Sequence, residues 1–304
     1  MLELISNSEL EELNSKPEFF TKGDGRRIAF YEYGAADGIP IFFCHGSGSH
    51  IHVALLHKPA KRLGYRVITP DRPGIGLSGF DPKRKILDSA SDIALIADHL
   101  GIKRFGVMGI SGGNPTLLAC AYKFAERLMF VVDLAGAAPL YTDPQALKQI
   151  GTMDRLFAKL GTHMPLSLFK IPFSILGFQQ KNLKNPKAFV KMMGSSFCQA
   201  DRKLFEMPEL QYLFMRDFQE LFRQGSRGAA LDAQLIYLPW GFDVHRINIH
   251  VDIRQGTDDR WVPPSFSQYL AKTLPLATLK MLPGQGHFYH LAYGEETLKM
   301  LKPA

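Results

Sequence analysis

Gly109-Ile110-Ser111-Gly112-Gly113 is the one G-x-S-x-G run in the chain, and it lies between an apolar strand-like stretch and a helix-like one. That placement suits a nucleophile. A serine at a sharp strand-to-helix turn is held in a strained backbone, and small neighbours must clear room for it. The plain alternative is a structural Gly-Ser turn; the position between strand and helix favours chemistry. Pro115 agrees, because the first turn of a helix does not need its N–H. A serine hydroxyl is a poor nucleophile unaided and needs a base. His287, in Pro283-Gly284-Gln285-Gly286-His287-Phe288 after the last predicted strand, is the candidate. A carboxylate must then orient the imidazole and stabilise its protonated form. Asp258 and Asp259, in Gly256-Thr257-Asp258-Asp259-Arg260, give the chain order Ser, acid, His, and spacing does not separate the two.

Such a triad also needs fixed backbone N–H donors for the oxyanion of a tetrahedral intermediate. Gly112, beside the serine, supplies one. The loop His45-Gly46-Ser47-Gly48 supplies the other, with Ser47 the first choice and Gly48 the second, since glycines let backbone approach a substrate closely. A phosphate-cradling use of this loop is weaker, because no Gly-Lys-Ser/Thr or G-x-G-x-x-G follows. His50, His52 and His57 come next. They lack acidic or cysteine partners at ligand spacing, so no metal is expected. His50, at the mouth of the pocket, is a candidate substrate contact.

The elements that must position these residues alternate. A β-hairpin is predicted over 18–33 around Gly23-Asp24-Gly25, and strands over 39–44, 66–69, 105–110 and 128–134. Helices are predicted over 52–63, 88–100 and 114–124. Apolar strands alternating with helices imply a parallel sheet covered on both faces. Residues 137–245 show no clear strand, only Pro-broken helical pieces, with Phe214, Phe218, Leu221 and Phe222 on one helical face. They read as a helical subdomain with its own core, whose inner face can also roof an apolar cavity as a cap. Alternation resumes with strands over 249–254 and 279–282 and helices over 265–274 and 291–301. Asp252 and Arg254 alternate with Val251 and Ile253, which places the first of these strands near an exposed sheet edge. The expected organisation is an α/β core, 18–136 and 246–304, a helical cap at 137–245, and an acidic amphipathic helix or a tail over 1–17.

The bulk properties narrow the classes. With 46% apolar and 21% charged residues the chain is globular. The net charge of +7 comes without a nucleic-acid motif, and Lys83-Arg84-Lys85 reads as a solvated turn. Three cysteines, an odd number in apolar surroundings, suggest reduced thiols. The first residues lack the basic-then-apolar plan of a signal peptide. No apolar run reaches the roughly 18 residues of a membrane span. A cytoplasmic protein without integral membrane association is the expectation.

Together, His45-Gly46-Ser47-Gly48, Asp71-Arg72-Pro73-Gly74-Ile75-Gly76-Leu77-Ser78, Gly109–Gly113 and Asp259…Val262-Pro263 with Gly286-His287 resemble the α/β-hydrolase superfamily, in particular its small capped serine hydrolases. The resemblance covers roughly residues 20–136 and 246–304. It implies an eight-stranded, mostly parallel sheet, no cofactor, and Ser111, Asp259 and His287 as nucleophile, acid and base. Epoxide hydrolases and haloalkane dehalogenases are similar but carry Asp at the nucleophile, which Ser111 is not. The expected activity is hydrolysis of a small, largely apolar carboxylic ester through an acyl-enzyme. The alternatives are C–C, amide or thioester cleavage on the same triad, or a receptor that binds its ligand with little turnover. A membrane-surface lipase would need an exposed amphipathic lid; 166–178 could serve, but these residues read rather as the core of the lid.

Overall fold

The computed structural model describes residues 3–139, 148, 152–182 and 184–301. Eight strands form one sheet: β1 (Glu18–Thr21), β2 (Arg27–Gly34), β3 (Ile39–Cys44), β4 (Tyr65–Pro70), β5 (Phe105–Ile110), β6 (Leu128–Leu134), β7 (Val251–Gly256) and β8 (Ala277–Leu282). Their spatial order is β1-β2-β4-β3-β5-β6-β7-β8. Only the hairpin β1–β2 and the β2–β4 pairing are antiparallel. β3, β5 and β6 are apolar almost throughout because helices cover both sheet faces, so neither side of these strands meets water.

On these faces lie α1 (Asn7–Leu13), α2 (His57–Leu63), α3 (Ile86–His99) and α4 (Asn114–Lys123). The first is shorter than the acidic run suggested; Ser6 caps it by accepting a hydrogen bond from the Glu9 N–H. The predicted helix over 52–63 is split into a 3₁₀ turn, Ile51–Leu56, and α2. Pro59 explains the split: its ring would clash with the carbonyl of residue 55, so an α-helix cannot run through. Arg84 corrects the reading of a solvated turn. It is buried and pairs with Asp232, while Lys83 and Lys85 stay exposed.

Between β6 and β7 the described residues form helices: α5 (Thr152–His163), α6 (Leu166–Phe169), α7 (Ile171–Asn182), α8 (Pro186–Met193), α9 (Gln199–Leu204), α10 (Pro208–Leu221) and α11 (Arg227–Tyr237). Their core is aromatic. Phe189, Phe197, Phe205, Phe214 and Phe218 pack at centroid separations of 4.8–6.0 Å, and Phe205 and Phe214 reach Phe288 in the loop after β8. The chain closes with α12 (Pro264–Thr273), α13 (Tyr289–Ala292) and α14 (Gly294–Lys299). The single closing helix expected over 291–301 is broken before Gly294, where a Cβ would come within 2.6 Å of Leu56.

β7 lies near the sheet edge, one strand in from it. It is paired on both sides, and the edge strand is β8, whose burial alternates. Arg254 is buried because its guanidinium donates to Asp252 at 2.8 Å, which removes the penalty its charge would otherwise carry. All three cysteines are buried and free. No helix among the described residues is long and apolar enough to cross a membrane.

Phe205 joins the helical segment to the loop after β8. Phe205→Ala should therefore lower unfolding stability by about 3–5 kcal/mol, read as a drop in urea midpoint at constant m-value.

Candidate active site

Ser111 occupies the turn from β5 into α4 with φ +52°, one of two non-glycine residues with positive φ among those described. A conformation of this kind costs about 1–3 kcal/mol and must be held from outside. Two N–H groups, of Asn114 and Ala137, donate to the Ser111 carbonyl, the second at 3.0 Å. The Asn114 side chain donates to the Ala137 carbonyl at 2.8 Å, tying the turn to the segment after β6. The neighbouring glycines are steric necessities. A Cβ on Gly113 would lie 2.1 Å from the Cys44 carbonyl oxygen, and one on Gly109 would press on Leu117 and Cys44.

His287 is buried, and its Nδ1 lies 2.8 Å from Asp259 Oδ2. The other oxygen of Asp259 accepts the N–H groups of Trp261 and Val262 at 2.8 and 2.9 Å. Gln255 donates to Oδ2 at 3.0 Å and is itself held by Ser267. Asp258 is exposed, and its carboxylate accepts only from the neighbouring Thr257 hydroxyl among the described residues. The geometry thus separates the two carboxylates that spacing left open. The Trp261 ring stacks on the imidazole at 5.8 Å. Ser111 and His287 line the same cavity. Among the described residues no hydrogen bond joins them; such contacts often tighten only around substrate.

The His287 pKa is the outcome of opposed effects. Burial lowers it, but the charge and hydrogen bond of Asp259, with a further contribution from Asp201, prevail and raise it above the usual 6.5.

The loop after β3 lies against Ser111. A Cβ on Gly46 would be 3.3 Å from that of Ser111, and one on Gly112 would be 2.5 Å from the Ser47 hydroxyl and 3.4 Å from the Ser47 nitrogen. The backbones of Gly112 and the Ser47–Gly48 stretch therefore meet beside the serine. Arg72 fixes the back of this loop, donating to the carbonyls of His45 and Gly46. Its Nε donates to Asp232 of α11 at 2.7 Å.

His50 is not where the sequence reading put it. It does not line the cavity; its Nδ1 sits 2.7 Å from Asp71, and its ring stacks on Tyr31 at 3.4 Å. Burial of a polar ring demands such a partner, and the Asp71 carboxylate provides it.

Sequence reasoning missed three residues. Asp217 of α10 accepts the Ser49 N–H and hydroxyl at 3.1 and 2.9 Å and contacts His52 Nδ1 at 3.2 Å. A Cβ on Gly48 would lie 1.9 Å from its carboxylate, so only glycine fits beside it. Asp201 of α9 accepts the N–H groups of His287 and Phe288 at 3.2 and 3.0 Å and fills the space over Gly286. His52, in turn, lines the cavity with Asp217 and His290. The one available signal was Asp217, a charge set within the apolar stripe Leu213, Phe214, Phe218, Leu221.

The alpha/beta hydrolase family model matches residues 41–299, and the chain belongs to this family. The Bacillus subtilis "uncharacterized hydrolase YcgS" is 25% identical over 202 residues, 60% of this chain and 71% of that one. An esterase from Exiguobacterium antarcticum superposes with a TM-score of 0.67 at 20% identity, covering 93% of this chain and 97% of its own. A thermophilic esterase from Thermogutta terrifontis gives 0.65 at 20% identity, with coverages of 93% and 96%. The architecture is therefore the α/β-hydrolase fold, and a hydrolase is the class that family and fold define.

With His287 as the candidate base, which must be neutral to act, kcat/KM should rise with pH and level off above the His287 pKa, with its midpoint above 6.5. Asp259→Asn should move that midpoint downward and cut kcat by about 10⁴-fold, measured as pH–rate profiles of both proteins.

Proposed function

We propose that the protein is a serine hydrolase that cleaves a small, largely apolar carboxylic ester. The observation that carries this reading is Ser111, held at positive φ on the wall of the cavity that also contains the Asp259-bonded His287. In this mechanism His287 removes the Ser111 proton as the hydroxyl oxygen attacks the ester carbonyl. The N–H groups of Gly112 and of Ser47 or Gly48 stabilise the oxyanion. The imidazolium then protonates the departing alkoxide, leaving an acyl-enzyme. Water, deprotonated by the same imidazole, releases the acid and restores Ser111.

The helices between β6 and β7 act in this reading as a cap over the α/β core. The cavity is about 220 Å³, which suits a small substrate. Leu213, Phe214, Phe218, Ile236, Phe266 and Leu291 give it apolar walls. Asp217, His52 and His290 give it one polar corner. His52 Nε2 and His290 Nδ1 are buried without a hydrogen-bond partner among the described residues. Unmet imidazole nitrogens of this kind favour an ester that also carries a hydroxyl or carbonyl group. Free buried thiols fit a cytoplasmic enzyme.

A small fluorophosphonate should label the purified protein, and Ser111→Ala should abolish both labelling and ester turnover while leaving the thermal midpoint in place. Equal labelling of the variant would remove Ser111 from the mechanism. His52→Phe keeps the shape of the corner but not its polarity. It should lower kcat/KM by about 10–100-fold on a hydroxylated ester and change little on a plain alkyl ester of the same length; equal losses on both would discard the polar corner.

A further inference from the structure

The whole net charge of the chain comes from one stretch. From Arg155 to Ala200 there is no aspartate or glutamate, and there are seven basic residues: Arg155, Lys159, Lys170, Lys181, Lys184, Lys187 and Lys191. The other 29 basic residues of the chain are matched by its 29 acidic ones. Ordinary solvated faces intersperse both signs, and this one does not. All seven cations except the half-buried Lys170 are exposed.

The same stretch carries apolar side chains in water. On α7, Ile171, Ile175 and Phe178 recur at the spacing of one helical face and are 51%, 58% and 71% exposed. The opposite face of α7 holds Gly177 and Gln180 buried, with Gly177 packed close to Phe222. Leu168 of α6 and Met192 of α8 are exposed as well. α8 buries Phe189 against Phe214 and Phe218 and turns Lys187, Lys191 and Met192 outward. Single exposed apolar residues are unremarkable, but a bulky stripe set in an acid-free basic field is not.

We propose that this outer face, α6 to α8, docks on an anionic lipid bilayer. The stripe of α7 inserts among the acyl chains near the headgroups, and the lysines pair with anionic lipid while their stems lie along the apolar surface. Charge decides the occupant: α6 to α8 carry five lysines, Lys170, Lys181, Lys184, Lys187 and Lys191, and no acidic residue, which complements a phospholipid surface of uniform negative sign. α7 and α8 pack on α10, which supplies Leu213, Phe214, Asp217 and Phe218 to the cavity, so docking holds the cavity one helix away from the bilayer. The docking does not depend on the hydrolase reading.

The test is co-sedimentation with vesicles of phosphatidylcholine alone or mixed with phosphatidylserine, at low and at physiological salt. Wild type and Ser111→Ala should pellet equally with the mixed vesicles and remain in solution with the neutral ones. Lys184→Gln/Lys187→Gln/Lys191→Gln should weaken partition about fivefold per lysine. Ile175→Ser/Phe178→Ser should abolish the binding that survives added salt. These side chains are exposed, so unchanged thermal midpoints should accompany both losses. The proposal is overturned if wild type ignores the mixed vesicles or if the lysine variant binds as well as wild type. It is also overturned if sedimentation shows a dimer that Ile175→Ser/Phe178→Ser dissociates while vesicles bind neither protein, which would make the face a self-association surface.

Discussion

Everything at the candidate site depends on how closely two chain segments approach: the loop leaving β3 and the turn leaving β5. They are neighbours in the sheet, with Cys44 opposite Gly109. Beyond that pair the backbones converge until a side chain at Gly113 would strike the Cys44 carbonyl and one at Gly112 the Ser47 hydroxyl. The same convergence that excludes side chains brings two sets of backbone N–H groups to one point beside Ser111. The strain at Ser111 is tolerable because the turn is over-determined: bonds to its carbonyl, the Asn114 tie and the glycine contacts all fix the same conformation.

The helices between β6 and β7 then contribute charge as well as bulk. Asp217 holds the loop after β3, Asp232 anchors the Arg72 that grips the same loop, and Asp201 holds the loop carrying His287. Each carboxylate is buried and accepts charge-assisted hydrogen bonds, worth about 1.5–3 kcal/mol apiece where they are well formed. Each bond also spans a long sequence separation, 168, 160 and 86 residues respectively. The helical segment and the strand loops are thereby fixed in one arrangement, with the aromatic contacts of Phe205 and Phe214 to Phe288 filling the space between them.

Legibility in the sequence follows the range of the interactions. β3, β5 and β6 were readable because strands buried on both faces must be continuously apolar, and Ser111 because its elbow needs glycines within two residues. His287 was readable as a candidate from chain order. What could not be read depends on partners far away. Arg84 reads as a solvated lysine-like charge until Asp232 of α11 meets it. His50 reads as a pocket residue until Asp71 and Tyr31 enclose it. Asp258 and Asp259 differ only in which one the turn before Trp261 directs inward.

The base shows how these ranges combine. Burial alone would leave His287 reluctant to accept a proton, and in the proposed mechanism it must take one from Ser111. Asp259, positioned by its own local turn and by Gln255, supplies the compensating charge through direct contact. Asp201 adds to it from the helical segment while holding the His287 backbone. The segment that walls the cavity therefore also helps set the proton affinity of the imidazole. In the proposed mechanism substrate enclosure and base strength would share a structural cause: the same packing that excludes water from the imidazole brings the second carboxylate near it.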